Sequence, residues 1–225
     1  MEPGLYIVGT PIGNLGDLSL RALETLQQVD LICAEDTRHT KRLTQRYEID
    51  TPLMSCHKFN EAQRSETLIT RIQNGEAIAL VSDSGMPTIS DPGARLVAAC
   101  RAAGLFITSI PGPTALTTAL ACSGLPSTGF TFVGFLPPKS GGRERELKRW
   151  GDHPLPVLFY ESPYRLLKLM GEIETHLGAD RTVFVARELT KLHEEFLQGT
   201  PAEITAQFTQ RNVKGELVVI LQPTG

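Results

Sequence analysis

Short apolar runs alternate with longer stretches of helical periodicity through the first half of the chain. Such runs predict strands, and apolar positions three and four residues apart predict amphipathic helices. One helix is predicted to follow Asp17, which can serve as its N-cap. The apolar face of that helix comprises Leu18, Ala22, Leu26 and Val29. The other elements predicted in this half are strands at 5–8, 31–34, 77–81 and 106–110 and helices at 61–72 and 92–103.

The pattern changes after residue 110, where prolines and glycines interrupt it and a short apolar helix is predicted at 114–122. The alternation before this point predicts an α/β domain with a mostly parallel sheet, and the strand-rich remainder predicts a second, α+β domain. We therefore expect two domains, 1–112 and 113–225, with the boundary within 111–129. The later elements are predicted as strands at 130–133, 157–160, 182–186, 194–198 and 216–221 and helices at 143–150, 164–177 and 201–210.

The composition is that of a globular protein. With 225 residues, 41% of them hydrophobic, the chain can bury a substantial core. No apolar stretch is long enough to span a membrane, and the amino terminus lacks the features of a signal peptide, so we expect a cytoplasmic protein. The formal net charge of −3 argues against a dedicated nucleic-acid binder but allows a local basic patch. The four scattered cysteines are expected to be buried, reduced thiols.

A loop rich in glycine and proline, "GTPIGNLGD", follows the first predicted strand. Its glycines, Gly9, Gly13 and Gly16, do not have the GxGxxG spacing of a dinucleotide fingerprint. Pro11 also removes an N–H group from any phosphate-binding nest. The loop therefore indicates a rigid turn at a strand-to-helix junction, either purely structural or pressed against a ligand without phosphates.

Two further loops of this kind follow the predicted strands at 77–81 and 106–110. In "LVSDSGMPTISDPG", Asp83 is the first acidic residue after a buried strand and is placed to accept a hydrogen bond from a hydroxyl or an amine. Asp91 is predicted to be a helix N-cap, with Pro92 at the first helical position. The third loop is "SIPGPTALTTAL". Since ligands favour the carboxyl edge of an open α/β sheet, the three loops predict one shared crevice.

Several motifs together resemble the ribosomal RNA small subunit methyltransferase I family of the tetrapyrrole-methylase superfamily. They are "LYIVGTPIGNLGDLSLRALETL", "AEDTRHT", "ALVSDSGMPTISDPG", "PGPTALTTAL", "GFLPPKSGGR", "FYESPYRL" and "ARELTKLHEE". The resemblance implies two α/β domains with S-adenosyl-L-methionine in the cleft between them, a homodimer, and methylation of a cytidine ribose 2′-hydroxyl in small-subunit (16S) ribosomal RNA. We expect the family's C-terminal helical extension to be absent here.

The resemblance also implies which residues contact the cofactor. They come from the three loops and from the segment "FYESPYRL" of the second domain. The implied residues are Pro11, Ile12, Asp83, Met86, Thr114, Ala115, Tyr160 and Glu161.

Methyl transfer to a sugar hydroxyl requires positioning of the hydroxyl, and a group that accepts its proton accelerates the reaction. In "AEDTRHTKR", Glu35, Asp36 and Arg38 follow a predicted strand, and two carboxylates beside an arginine can orient it toward a phosphate or ribose. His57 in "SCHKFNE" is a further candidate for the base. The alternative is a solvated helix start capped by Asp36 or Thr37.

A basic segment, "KSGGRERELKR" at 139–149, is the best candidate for contact with RNA phosphates. A solvated helix face explains it equally well. Its basic residues are Lys139, Arg143, Arg145, Lys148 and Arg149. The sequence shows no cluster with the ligand spacing of a metal site.

Two other functions stay open at this point. A methyltransferase acting on a precorrin-like tetrapyrrole would share the fold, although its pocket should not need the basic segment at 139–149. A non-catalytic RNA-binding module would bind RNA without forming a methylated product. A dinucleotide oxidoreductase is least favoured, because the GxGxxG pattern is absent.

Overall fold

Two five-stranded sheets organise the part of the chain that the computed structural model describes, which is residues 1–125, 128–210 and 214–223. Each sheet belongs to a separate unit of the chain. The first unit is Met1–Thr114 and the second is Ala115–Gly225.

The sheet of the first unit contains five strands in the order β3-β2-β4-β1-β5, and every pair is parallel. The strands are β1 Gly4–Val8, β2 Leu31–Ala34, β3 Leu53–Ser55, β4 Ala77–Val81 and β5 Ile107–Ile110. Every residue of the central strand β4 is buried, which explains its unbroken apolar run, because a parallel sheet is covered on both faces. The predicted parallel α/β architecture is therefore confirmed.

Four helices cover this sheet, and their bounds are α1 Leu20–Gln28, α2 Thr37–Arg46, α3 Glu61–Gln73 and α4 Ala94–Ala102. Two apolar clusters result. One contains Leu26 of α1 and Leu43 of α2, and the other contains Leu68 of α3 and Leu96 of α4. The sheet residues alternate between the two clusters, as the two-residue period of a strand requires.

The start of α1 differs from the prediction. Asp17 does not cap this helix, because it lies in a short 3₁₀ turn, Leu15–Asp17, that precedes it. The N-cap is Ser19, whose hydroxyl oxygen accepts a hydrogen bond from the Ala22 N–H at 3.1 Å. The sequence pattern does not predict the full extent of helix α2, and it does not predict strand β3.

The start of α4 also differs from the prediction. The sequence predicts Asp91 and Pro92 as its N-cap and first residue, but the helix begins at Ala94 with Gly93 as the N-cap. Gly93 has a φ of +120°, a conformation that favours glycine, and it offers no side chain for capping. Asp91 therefore has no capping role in this helix.

Glu61, the first residue of α3, supplies the missing cap of α4. Its Oε1 accepts hydrogen bonds from the backbone N–H groups of Gly93, Arg95 and Leu96 at 3.1, 2.8 and 3.3 Å. The first N–H groups of a helix have no partner within the helix, and a carboxylate also interacts favourably with the positive end of the helix dipole. One buried carboxylate thus links the beginnings of two helices.

The second unit has a mixed sheet in the order β6-β7-β10-β8-β9. The pair β6 and β7 is parallel, and the other three pairs are antiparallel. The strands are β6 Thr131–Phe135, β7 Val157–Glu161, β8 Val183–Arg187, β9 Glu195–Gly199 and β10 Leu217–Leu221. The helices are α5 Ala115–Cys122, α6 Ser140–Trp150, α7 Pro163–Leu177 and α8 Pro201–Thr209.

One face of this sheet packs with α6, α7 and α8 into a single apolar cluster. The cluster includes Phe159 and Val219 of the sheet, Leu147 of α6, Met170 of α7 and Phe208 of α8. Alternate apolar residues of β7 and β10 point into this cluster from the sheet. The predicted α+β character of this unit is therefore observed.

The cysteines are free, as predicted, but not all are buried. Cys33, Cys56 and Cys100 lie in the core of the first unit, whereas Cys122 at the end of α5 is exposed. Burial raises the pKa of the Cys56 thiol to about 11, which makes it unreactive. Within the described ranges no helix is both long enough and apolar enough to cross a membrane.

We predict that Glu61→Ala destabilises the protein by about 2–4 kcal/mol, because it leaves buried N–H groups of α4 without an acceptor. Urea unfolding monitored by circular dichroism measures this free energy. Glu66→Ala, an exposed position on the same helix, is the matched control and should change stability by less than about 0.5 kcal/mol. Equal effects of the two substitutions would contradict the capping role.

Candidate functional site

The loops that follow β1, β4 and β5 meet at the carboxyl edge of the parallel sheet. The Thr10 N–H donates to the Gly85 carbonyl at 2.9 Å, and the Gly85 N–H donates back to the Thr10 carbonyl at 3.1 Å. The Gly9 N–H donates to the Ile110 carbonyl at 3.1 Å. Three stretches that are distant in sequence are therefore joined by backbone hydrogen bonds.

Gly9 and Gly112 bring two of these loops into direct backbone contact. A Cβ atom on Gly112 would lie 2.8 Å from the Gly9 Cα atom, and one on Gly9 would lie 2.7 Å from the Gly112 Cα atom. The Sδ atom of Met86 would lie 2.6 Å from a Gly9 Cβ. These glycines serve close packing of loops, which no side chain would permit.

The predicted cofactor residues of the first unit lie in or beside this packed region. Ile12 is buried, and a Cβ on Gly85 would lie 3.4 Å from its Cγ2 atom. Pro11, Met86 and Thr114 are half-buried.

Asp83 connects the loop after β4 to the loop after β2. Its Oδ1 accepts a hydrogen bond from the Asp36 N–H at 3.0 Å. The Glu35 carboxylate in turn accepts a hydrogen bond from the Asp83 backbone. A carboxylate has about four acceptor positions, so Asp83 retains capacity for a further donor.

Four carboxylates gather along this edge, and we call them the acidic edge: Glu35, Asp36, Asp83 and Asp91. Burial and then the charge of Asp83 raise the pKa of Glu35. Burial and then the charge of Glu35 raise the pKa of Asp91 to about 6. Carboxylates close together create a region of negative potential. Each of them disfavours the ionisation of its neighbours.

Asp91 is the functional candidate that sequence reasoning misses, because its pattern is that of a helix cap. The glycine that follows "DP" in the sequence is a signal that the helix starts later than Pro92. Gly93 adopts a positive φ and delays the helix, which leaves the Asp91 carboxyl with the acidic edge instead of the helix end.

Asp36 caps a helix, as one of the two alternatives predicts, and also binds Arg38. Its carboxylate caps α2 by accepting from the Arg38 N–H at 2.9 Å. It also holds the Arg38 guanidinium through two contacts, Nε to Oδ1 at 3.0 Å and Nη2 to Oδ2 at 2.7 Å. This pairing lowers the pKa of Asp36. The Arg38 side chain is 90% exposed, so the guanidinium is oriented and still accessible.

His57 is arranged as a hydrogen-bond donor and not as a base. Its Nδ1 accepts from the Phe59 N–H at 3.3 Å, which requires the neutral ring to carry its proton on Nε2. The Asn60 side chain does not cap α3 but accepts from the His57 N–H at 2.8 Å. A general-base role for His57 would require loss of its bond to Phe59.

Tyr160 and Glu161 end strand β7 of the second unit. The Tyr160 ring lies 4.9 Å from the Phe132 ring and 5.5 Å from the Phe135 ring, measured between centroids. The Glu161 side chain is fully buried, and its Oε1 accepts from the Arg165 Nε at 2.6 Å. Its Oε2 is buried without a hydrogen-bond partner, which is costly for an acceptor in a protein interior. Ala115, the remaining predicted cofactor residue, begins α5.

Arg143 is not available to RNA in this structure. Only 2% of its side chain is exposed, and its guanidinium contacts both carboxylate oxygens of Glu172 at 2.6 and 2.7 Å. A further N–H group donates to the Pro138 carbonyl at 2.7 Å. Arg143 therefore fixes the segment before α6 to α7, because burial of an arginine is tolerated only with such pairing.

The other basic residues of 139–149 are exposed. Lys139 and Arg145 lie on the surface. Lys148 pairs with Glu144 at 2.7 Å, and the Arg149 guanidinium lies 4.8 Å from the Trp150 ring centroid. Exposed pairs of this kind are weak, so these cations stay available for another anion.

The acidic edge determines which ligands its loops can hold. A pyrophosphate would be repelled by the carboxylates, and Pro11 offers it no N–H group. A small cation with amine and hydroxyl donors fits, because Asp83 can accept further hydrogen bonds. In the part of the chain that the structure describes, no three His, Cys, Asp or Glu residues form a group that could hold a metal ion.

Comparison with known proteins gives consistent results. Residues 4–205 match the family model described as Tetrapyrrole (Corrin/Porphyrin) Methylases. A protein of Synechocystis sp. named ribosomal RNA small subunit methyltransferase I is 49% identical over 96% of this chain and 78% of its own length. One of the same name from Thermotoga maritima is 46% identical over 96% of this chain and 97% of its own length.

Solved structures share the fold at low sequence identity. The methyltransferase CobJ has a TM-score of 0.72 and 18% identity, covering 98% of this chain and 94% of its own. The cobalt precorrin-4 methyltransferase CbiF has a TM-score of 0.71 and 16% identity, covering 97% and 94%. At this level of identity the likeness concerns the fold alone.

We predict that Asp91→Asn stabilises the protein at neutral pH and leaves it unchanged below about pH 4. Because the folded-state pKa is raised from 3.8 to about 6, the contribution of Asp91 to stability falls as the pH rises through this interval, and the uncharged amide avoids that loss. The raised pKa corresponds to at most about 3 kcal/mol. Urea unfolding at about pH 4, 5, 6 and 7 measures the difference, and a pH-independent difference would refute the prediction.

We predict that Gly112→Ala destabilises the protein by about 1–3 kcal/mol, because the new methyl group meets the rigid backbone of Gly9. Gly171→Ala is the matched control. Gly171 lies in the interior of α7, and a Cβ atom there would have no other atom within 4 Å, so alanine should stabilise by about 0.5–1 kcal/mol. Thermal unfolding of the two variants tests the contrast in sign.

Proposed function

Because the chain belongs to the family of tetrapyrrole methylases, we propose that it is a methyltransferase that uses S-adenosyl-L-methionine to methylate small-subunit ribosomal RNA. The proposal is supported by relatives that are 46–49% identical over 96% of this chain and carry the name ribosomal RNA small subunit methyltransferase I. We further propose that the acceptor is the ribose 2′-hydroxyl of a cytidine, as the sequence motifs imply.

The acidic edge is the observation that carries this function. S-adenosyl-L-methionine contains a sulfonium cation and an ammonium group but no phosphate. Carboxylates that repel a pyrophosphate attract such a cation, and their raised pKa values at Glu35 and Asp91 would fall when a positive charge binds nearby. The loop chemistry and the proposed cofactor therefore agree in charge.

We assign the cofactor contacts as follows. Pro11, Ile12 and Met86 would supply apolar and backbone surface, and Asp83 would accept a hydrogen bond. The motifs imply Thr114, Ala115, Tyr160 and Glu161 as the remaining contacts.

The bound cofactor would supply an electrophilic methyl group, and the protein would position the hydroxyl and receive its proton. Arg38, oriented by Asp36, would bind a phosphate of the substrate, since an arginine fork suits phosphate oxygens. Glu35 would accept the proton. His57 is the less suitable acceptor, because its Nδ1 is already occupied.

Two alternatives receive less support. A tetrapyrrole substrate is suggested only by structures of 16–18% identity, which concern the fold. A non-catalytic RNA-binding module would not need the acidic edge, which suits a cationic cofactor. We propose a cytoplasmic location, because the proposed substrate is ribosomal RNA. The motifs also imply a homodimer. Measurement of the molar mass in solution tests the homodimer directly.

Methyl transfer to isolated small subunits tests the function. Small subunits from cells lacking this protein are incubated with S-adenosyl-L-methionine carrying a labelled methyl group, and the RNA is digested to nucleosides. We expect label in 2′-O-methylcytidine. Label on a base would refute the ribose assignment, and absence of label from RNA would refute the function.

Two substitutions separate cofactor binding from substrate binding. Asp83→Asn keeps the Oδ1 acceptor for Asp36 but removes a negative charge, so the Kd for S-adenosyl-L-methionine should rise about tenfold. Arg38→Ala should leave that Kd unchanged and lower methyl transfer by about 10²-fold or more. Calorimetry and the methyl-transfer assay distinguish these outcomes. The reverse pattern would contradict both assignments.

A further inference from the structure

Phe59 is a large apolar side chain held in water. It is 93% exposed, although complete burial of a phenylalanine is strongly favourable. Its ring contacts the His57 ring only by its edge, with centroids 6.1 Å apart. An aromatic face is therefore open to a partner.

The turn that carries Phe59 is rigid. The Phe59 N–H is bonded to His57 Nδ1, and the His57 carbonyl accepts from the N–H groups of Asn60 and Glu61 at 3.0 and 2.9 Å. The Asn60 amide bridges the turn by accepting from the His57 N–H and donating to the Ser55 carbonyl at 3.3 Å. The exposed ring is thus presented on a fixed backbone, which lowers the entropic cost of binding.

The turn that carries Phe59 follows β3, and Glu35 and Asp36 of the acidic edge follow the neighbouring strand β2. Strands β2 and β3 are parallel, with Ala34 opposite Ser55, and the Cys56 N–H donates to the Ala34 carbonyl at 2.8 Å. The residues that follow each strand are therefore adjacent.

Since the proposed substrate is RNA, we propose that Phe59 is a substrate-binding residue that stacks on an unpaired base of the RNA next to the methylated nucleotide. Sequence-specific RNA recognition favours single-stranded bases that stack on aromatic rings. Two cations fit the same partner: Lys58 precedes Phe59 in the chain and is exposed, and Arg38, in the segment that follows β2, is exposed and oriented. An apolar protein partner would have no use for these cations.

Binding of a single-stranded oligoribonucleotide that carries 2-aminopurine tests this assignment without methyl transfer. Stacking quenches the fluorescence of 2-aminopurine. We expect Phe59→Ala to weaken binding by roughly five- to 150-fold and to reduce the quenching. Phe59→Trp and Phe59→Tyr should retain both, whereas Phe59→Leu should behave as alanine.

The salt dependence gives a second readout. Phe59→Ala should leave the slope of log K against log salt concentration unchanged, because stacking releases no counterions. Lys58→Ala should reduce that slope by about 0.7, the value for one phosphate contact on a single strand. Leu192→Ala, an equally exposed apolar residue of the second unit, is the matched control and should alter neither quantity.

The possible failures are distinguishable. Retention of affinity by Phe59→Leu would show an apolar contact with a non-aromatic partner and would overturn the stacking role. Absence of RNA binding by the wild-type protein would overturn it as well. RNA binding and quenching without any methyl transfer to small subunits would support the role of Phe59 and refute the proposed function.

Discussion

The carboxyl edge of a parallel sheet brings loops together that are far apart in sequence, and here the loops meet at the distance of backbone contact. Gly9 and Gly112 approach so closely that neither has room for a Cβ atom, and Thr10 and Gly85 exchange two hydrogen bonds. The loop after β4 is thereby anchored, and its Asp83 accepts from the Asp36 N–H of the loop after β2, which keeps the carboxylates of these two loops together. The mutual repulsion within the acidic edge, and hence its preference for a cation, follows from this packing.

Two arginines illustrate how position decides the role of one side-chain type. Arg38 and Arg143 are both held by a carboxylate through two nitrogen atoms. Arg38 is displayed to solvent, where its charge can meet a ligand, whereas Arg143 is enclosed and secures a loop to α7. The exposed pair is energetically weak and available, and the buried pair is costly to break and unavailable.

Local pattern predicts most strands and helices, because burial imposes periods of two and 3.6 residues on the sequence. The strand β4 and the helix α3 are recognisable for this reason. The strand β3 has three residues and carries too little pattern. The burial of Arg143 depends on Glu172, 29 positions away, and the role of Asp91 depends on Glu35. Interactions between distant residues leave no periodic signal in the sequence.

Glu61 has a mechanical consequence. It immediately follows the turn that carries Phe59, and its carboxylate grips the amides that begin α4, just beyond Asp91. The turn and the loop after β4 therefore belong to one cooperative opening unit, in which neither can fray alone. Backbone amides of both segments should exchange with solvent at a common rate.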